Sequence, residues 1–448
     1  MPVRRRSATR ALLMTHQRPA ADRIVNVEGI ARVEGEGSLR VEVRDGVVEV
    51  VELEIFEPPR FFEAFLRGRR HTEAPDITAR ICGICPVAYQ MSACLAIEDA
   101  CKASVTERIR ALRRLLYCGE WIQSHALHIH LLHAPDFLGC HDAVELAEID
   151  PSPVKRGLEI KRVGNLVMET VGGRAIHPVN VRVGGFYKAP SREEIASLAE
   201  PLLRARDAAL ASVEWVSSFD FPDIEADYRF VSLRHPDHYP IESGRIASSD
   251  GLDLDAAGIS ELVVEEQVEH STALRARLGG REEYLTGPLA RFALNSNRLP
   301  PVASEAASAA GLGGVCNNPF KSIIVRAVEL VFACDEALRL VADYEPPDPP
   351  SVPVEGVAGT GFGATEAPRG LLFHRYDLDG DGLIRAARIV PPTSQNQLMI
   401  EADLGRVVQA NLALEDDELT WRCEQTVRNF DPCISCAAHF LNVSVERH

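Results

Sequence analysis

The sequence predicts an α+β fold, predominantly helical, with a long-helix core between an N-terminal β-hairpin and a β-containing C-terminal segment. Three observations carry that expectation. Apolar residues recur at helical spacing in seven stretches between residues 60 and 343. Asp45-Gly46, set between runs of Val, Leu and Ile, is the two-residue signal of a tight hairpin. Near the C-terminus, the β-rich runs 371–376 and 383–390 flank a tight turn at 377–382.

Taken in order, residues 1–24 are polar and Arg-rich and are expected to form a disordered tail. Arg4-Arg5-Arg6 resembles the start of an export signal, but Ala11-Leu12-Leu13-Met14 is too short for its apolar segment, and a start at Met14 is the other reading. Residues 37–56 read as two strands. After Pro58-Pro59, helices are expected at 60–69, 86–102, 105–133, 155–171, 191–217, 258–278 and 318–343. The clearest is the third, where Ile109, Leu112, Leu115, Leu116, Ile122, Leu127 and Leu131 trace one face. A Pro-rich loop at 345–353 precedes the second hairpin, and helices at 406–414 and 418–428 close the pattern. Residues 25–439 are expected to form one domain.

Composition narrows the class. Of 448 residues, 46% are apolar and 25% charged, as in ordinary globular proteins. The formal charge of −17 argues against nucleic acid or an anionic membrane surface as partner. No apolar run approaches the roughly 20 residues that span a bilayer. Eleven cysteines without dense spacing do not make a disulfide framework, so a reduced, cytoplasmic setting is expected. Cys94, Cys101, Cys118, Cys140, Cys316, Cys334 and Cys423 read as small buried hydrophobes.

The other four cysteines form two pairs at opposite ends: Arg80-Ile81-Cys82-Gly83-Ile84-Cys85 and Asp431-Pro432-Cys433-Ile434-Ser435-Cys436, with His439 three residues on. Two such turns brought together supply four soft thiolates, which suit nickel, zinc or iron. A zinc ribbon would place its second pair roughly 15–20 residues after the first. Here almost the whole chain intervenes, leaving zinc only as a clasp between the chain ends. A thiol–disulfide redox pair lacks its βαβ context.

Arg80 before the first pair, and Asp431-Pro432 before the second, resemble the R-x-C-G-x-C and D-P-C-x-x-C-x-x-H motifs of the large subunits of NiFe hydrogenases. Further motifs follow in the family's order: Arg32-Val33-Glu34-Gly35, Arg60-Phe61-Phe62-Glu63, Ala367-Pro368-Arg369-Gly370 and Thr393-Ser394-Gln395-Asn396. The resemblance covers nearly the whole chain. It implies reversible cleavage of hydrogen, with Cys82 and Cys433 as terminal nickel ligands. Cys85 and Cys436 would bridge nickel to an iron carrying carbon monoxide and cyanide. Heterolytic cleavage needs a nearby base; Cys433 or Arg369 would take the first proton and Glu34 would relay it. Pro368, Arg369 and Thr393 would line the pocket for the diatomic ligands. Glu63 and His439 would hold a magnesium ion. Without the family frame, Glu34 reads equally as a solvated strand-end charge and Glu63 as a helix-surface residue.

The resemblance also implies partners: an iron–sulfur small subunit, and, as in the bidirectional members, a flavin-containing NAD(P)-reactive subunit with a further iron–sulfur subunit. No iron–sulfur cluster, flavin or nicotinamide site is expected in this chain. A maturation endopeptidase would remove residues 440–448. Tyr89 stands where the family often has histidine, and Ser124 where many respiratory members have aspartate; both point to the cytoplasmic NAD(P)-coupled group. A hydrogen sensor with little turnover is the alternative reading; the quinone-reducing respiratory subunit of the same fold lacks the cysteine pairs. Three other patterns carry no function. The run from Asp377 opens like a calcium loop but ends on Arg388. Gly359-x-Gly361-x-Gly363 lacks the setting of a dinucleotide site. His125, His128, His130 and His133 are expected to pack in or beside the long helix.

Overall fold

Thr106 opens the longest periodic segment: its hydroxyl accepts from the Ile109 N–H (3.4 Å) and caps the helix Glu107–Leu127. Ile109, Leu112, Leu115, Leu116 and Ile122 are all buried. Helices Pro151–Gly172, Ala199–Ser217 and Ser322–Ala342 pack with it into the central bundle. The computed structural model describes residues 22–438. The central helix continues past Leu127 as a π-helical turn, His128–His133. His125, His128, His130 and His133 are all buried, and burial holds each below its usual pKa, so they sit neutral in the core. Among the described residues, no helix is long and apolar enough to cross a membrane.

At the N-terminal end, Asp45 and Gly46 take left-handed backbone (φ 50° and 77°) and close the hairpin Gly37–Arg44 with Val47–Ile55. Arg23–Val27 pairs antiparallel with the first of these strands, so Arg23 and Ile24 lie in a strand rather than in the expected tail. Their alternating neighbours Val25 and Val27 point into the core. Residues 1–21 of that tail lie outside the described residues.

The expected helix at 258–278 is not found. A short helix, Ala256–Leu262, gives way to antiparallel strands Val263–Val268 and Ser271–Leu278. The β-branched pair Val263-Val264 favours the extended chain, and Arg275 and Arg277 both reach Glu266 Oε1 on the opposite strand, at 2.8 and 3.0 Å. Ser271 pairs in parallel with Ile55, completing a five-stranded sheet. The expected helix 191–217 is broken in two, Arg192–Ala196 and Ala199–Ser217, and 60–69 shortens to Phe62–Leu66.

The C-terminal hairpin gains a third strand. Gly359–Ala367 pairs with Gly370–Leu378, and Ile384–Val390 follows antiparallel. Its glycines admit a helix: a Cβ at Gly361 would stand 2.0 Å from the Ala96 carbonyl oxygen and 2.2 Å from the Ala100 nitrogen. The helix Pro86–Ala100, which starts at the first cysteine pair, therefore lies directly on this strand.

The expected helix 406–414 is the end of a longer one, Pro392–Ala410. Proline in the first turn is a start signal, but Thr393-Ser394-Gln395-Asn396 reads as loop because all four are polar. They are buried instead: Asn396 Oδ1 accepts from Thr286 N (2.9 Å) and Gln395 Nε2 donates to Leu371 O (2.5 Å). This helix packs on the five-stranded sheet and on helix Asp416–Asn429, which leads into the second cysteine pair.

Candidate metal centre

The four cysteines converge. Cys82, Cys85, Cys433 and Cys436 are 2–3% exposed, and their sulfurs all lie within 4.8 Å of one another. The Cys82 and Cys433 sulfurs are 3.5 Å apart.

Local structure fixes each pair. Cys82 is extended after a 3₁₀ turn, Ala79–Ile81, so the N–H groups of Ile84 and Cys85 point back at its sulfur (3.3 Å each). Cys85 stands at the N-terminus of the helix Pro86–Ala100. On the C-terminal side, Asp431 takes left-handed backbone (φ 53°) and turns the chain out of helix Asp416–Asn429. The Cys433 N–H then donates to Thr393 Oγ1 (2.9 Å), and the Ile434 N–H to the Glu34 carbonyl (2.9 Å).

Crowding four thiols in one buried site splits their acidity. Hydrogen bonds from Cys433, Cys436 and Cys85 pull Cys82 well below the usual thiol range. Cys85 is pushed well up by its hydrogen bond to Cys433 and by burial, and burial does the same to Cys433 and Cys436. The thiols are thus held unequally, and a bound cation would favour the thiolate form of all four.

Around the sulfurs stand the other residues the motifs single out. Cys433 Sγ donates to Glu34 Oε2 (2.9 Å), and the same oxygen accepts from Ser435 N (3.2 Å). Arg369 is buried; its Nε donates to the Asp431 carbonyl (2.7 Å) and its Nη2 to Asp431 Oδ1 (3.1 Å). Burial opposes its charge, but Asp431 and the sulfurs outweigh that and hold the guanidinium above its usual pKa. Its Nη1 is a buried donor without a partner among the described residues. Pro368 is buried and its carbonyl accepts from Arg291 Nη2 (2.9 Å). Thr393 Oγ1 only accepts in the contact with Cys433 N, which leaves its O–H to donate.

Glu63 is half-buried in the helix Phe62–Leu66, and its Oε1 accepts from Ile389 N (2.7 Å). Its expected companion His439, like residues 440–448, lies outside the described residues. Arg60 N donates to Ala438 O (2.9 Å), which ties the Glu63 segment to the chain just before that histidine. Tyr89 is buried and its hydroxyl has no partner among the described residues; burial first, then the charge of all four cysteines, holds the phenol well above its usual pKa. The Ser124 hydroxyl is likewise buried without a partner among the described residues.

Several supporting residues escaped the sequence reading. Glu120, fully buried on the central helix, accepts from Val87 N (2.6 Å) and Ala88 N (3.1 Å) and so fixes the helix start beside Cys85. Asp136 receives Arg32 (2.6 Å) and Arg428 (2.8 Å), clasping the Glu34 segment to the helix before the second pair. Arg291 forks onto Glu329 at 2.7 Å twice, reaches Glu366 at 3.0 Å and donates to the Ala367 and Pro368 carbonyls, so it sets the loop that carries Arg369. Removing one partner of such a buried pair costs about 3–5 kcal/mol. The only hint of these residues in the sequence is a charge set directly between uncharged, mostly apolar neighbours.

The donor set suits a thiolate-bound metal centre: four soft, buried sulfurs in one cluster, with a buried guanidinium alongside that keeps one donor unengaged. Chemistry of the ligands alone would also admit zinc. Comparison with known proteins separates the two. The family model of nickel-dependent hydrogenases matches residues 60–157 and 325–439, which include both pairs. The alpha chain of sulfhydrogenase 1 from Pyrococcus furiosus is 31% identical over 94% of this chain and 98% of its own length. The alpha chain of sulfhydrogenase 2 from the same organism is 31% identical over 94% of this chain and 100% of its own. Among solved structures, an NAD+-reducing [NiFe]-hydrogenase in the H2-reduced state superposes with a TM-score of 0.84 and 27% identity, covering 93% of this chain and 99% of that one. With such identity sustained from end to end, the chain belongs to the nickel-dependent hydrogenases, as one of their H2-activating large subunits.

Proposed function

We propose that this chain works in a cytoplasmic complex that exchanges electrons between H2 and NAD+ or NADP+. Cys82 and Cys433 would bind nickel terminally, and Cys85 and Cys436 would bridge it to an iron bearing carbon monoxide and cyanide. The observation that carries the reading is the 2.9 Å contact between Cys433 Sγ and Glu34, at the edge of a buried sulfur quartet. When bound, the metal pair would polarise H2 and take up its electrons.

The chain's own residues do the rest. Cys433 Sγ receives the proton of the split molecule and passes it to Glu34, already at hydrogen-bond distance. Arg369 keeps its proton, since both Nε and Nη2 are engaged by Asp431, and so contributes fixed positive charge rather than a base. Its free Nη1, the Thr393 hydroxyl and the buried ring of Pro368 offer two donors and an apolar wall for small diatomic ligands. Glu63 and His439 would share a magnesium ion, and once nickel is in place an endopeptidase would cut off residues 440–448.

Electrons need a way out, and an iron–sulfur small subunit would supply it; the sulfhydrogenase relatives are themselves single chains of larger enzymes. A further iron–sulfur subunit, together with a flavin-containing subunit reactive toward NAD(P), would complete the complex. Likeness to an NAD+-reducing enzyme favours this coupling. Eleven cysteines without a disulfide among the described residues suit a reducing compartment. The test is H2-dependent reduction by the complex purified with its native partners, comparing NAD+, NADP+ and a viologen dye. Reduction of a nicotinamide is expected. Reduction of viologen with neither nicotinamide touched would overturn the NAD(P) coupling while leaving H2 activation intact.

A further inference from the structure

A proton on Glu34 must travel on, and Ser435 and then Glu57 lie next beyond it. Ser435 sits between two carboxylates. Its N–H donates to Glu34 Oε2 (3.2 Å), and its hydroxyl donates to Glu57 Oε2 (2.7 Å). The Glu34 oxygen involved is the one that accepts from Cys433 Sγ (2.9 Å). The line therefore runs from a buried thiol to Glu57, which is half-exposed.

The surroundings keep this approach open. Gly35 has φ +91°, and a Cβ there would stand 2.7 Å from Glu57 Oε2 and 2.8 Å from Ser435 N. Any side chain at position 35 would push into the space the two carboxylates share with Ser435. The Glu57 backbone is pinned as well: Thr272 Oγ1 donates to the carbonyls of Ile55 (3.0 Å) and Glu57 (2.7 Å), and Arg60 Nη2 donates to the Ser435 carbonyl. Among the described residues, Glu57 forms no ion pair, so its carboxylate is not committed to a cation. As a mere anchor for the Ser435 turn, a glutamine would serve equally, and that difference is testable.

We infer that Glu57 is the second carboxylate of the proton path, receiving through the Ser435 hydroxyl the proton that Glu34 takes from Cys433. The inference rests on the proposed reading of Cys433 and Glu34. As Glu34 gives its proton to Ser435 Oγ, the serine hydroxyl gives its own to Glu57; Glu34 returns to carboxylate, Ser435 to hydroxyl, and Glu57 releases one proton to water. No electron moves. The first and last contacts already lie within the roughly 2.6–3.2 Å that proton transfer requires. In the middle hop the Glu34 carboxyl, which meets the Ser435 amide at rest, has to turn to the hydroxyl of the same residue.

The test compares wild type, Glu57→Gln and Glu57→Asp in the assembled, metal-loaded complex. Glutamine keeps the hydrogen bond to Ser435 but cannot carry the proton. Conversion of para- to ortho-hydrogen needs only the base nearest the metals, whereas exchange of D2 with solvent protons needs the whole path. Para-to-ortho conversion and the carbon monoxide and cyanide infrared bands are expected unchanged in Glu57→Gln. Solvent exchange should fall about 10²-fold and largely return in Glu57→Asp. The infrared difference spectrum between H2 and argon should also lose a carboxylic-acid C=O band in Glu57→Gln. Solvent exchange within about twofold of wild type would overturn the inference. If Glu57→Gln fails to assemble, Ser435→Ala replaces it: the same loss of exchange supports the path, and unchanged exchange ends it. A wild-type complex without carbon monoxide and cyanide bands is a separate failure, that of the metal-site reading itself.

Discussion

Cys433→Ser is expected to leave a folded chain with little or no nickel and no H2-dependent turnover. The fold should survive because the local bonds, Cys433 N to Thr393 and Ile434 N to the Glu34 carbonyl, are made by the backbone. Metal retention should not. A four-thiolate zinc site contributes about 10–16 kcal/mol in total, so one ligand is worth about 3–4 kcal/mol, or roughly 10²–10³ in affinity. The hard hydroxyl of serine does not replace a soft thiolate. The same change removes the sulfur that reaches Glu34 at 2.9 Å, so residual metal would still lack its first base. Metal analysis and an H2 oxidation assay check this together. Normal nickel content with normal turnover would show that Cys433 is no ligand.

Glu34→Gln is expected to separate metal binding from proton traffic. The amide still accepts from Ser435 N, so the turn around the second pair holds and nickel and iron load as in wild type. It cannot take a proton from Cys433. Loss of a positioned acid–base group lowers turnover by about 10²–10⁴-fold. H2 oxidation should fall within that range while the carbon monoxide and cyanide bands stay in place. Turnover within about twofold of wild type would remove Glu34 from the path.

The metal centre is legible in the sequence because its chemistry is local: two C-x-x-C turns, each with its own flanking residues. The hairpin at Asp45-Gly46 and the central helix are legible for the same reason, since turn chemistry and apolar period act over a few residues. The strands Val263–Val268 and Ser271–Leu278 are not, because an acidic, Val-rich stretch satisfies both periods and its edge pairing with Ile55 is decided far along the chain. Helix Pro392–Ala410 is cut short in the sequence reading because its first turns carry polar side chains that find partners far along the chain, among them Thr286 and Leu371. Glu120, Asp136 and Arg291 illustrate the same limit. Each is a charge buried on a helix whose partner lies across the fold, and periodicity reads such residues as solvated.

Everything functional in this chain depends on what the four sulfurs hold. The most direct measurement is an infrared spectrum, with metal analysis, of the complex purified with its partners and maturation machinery. Bands from metal-bound carbon monoxide and cyanide, with nickel present and iron in excess of it because the partners' iron–sulfur clusters add theirs, are the predicted result. A fully matured sample with no such bands and zinc in place of nickel would mean that Cys82, Cys85, Cys433 and Cys436 form a structural clasp.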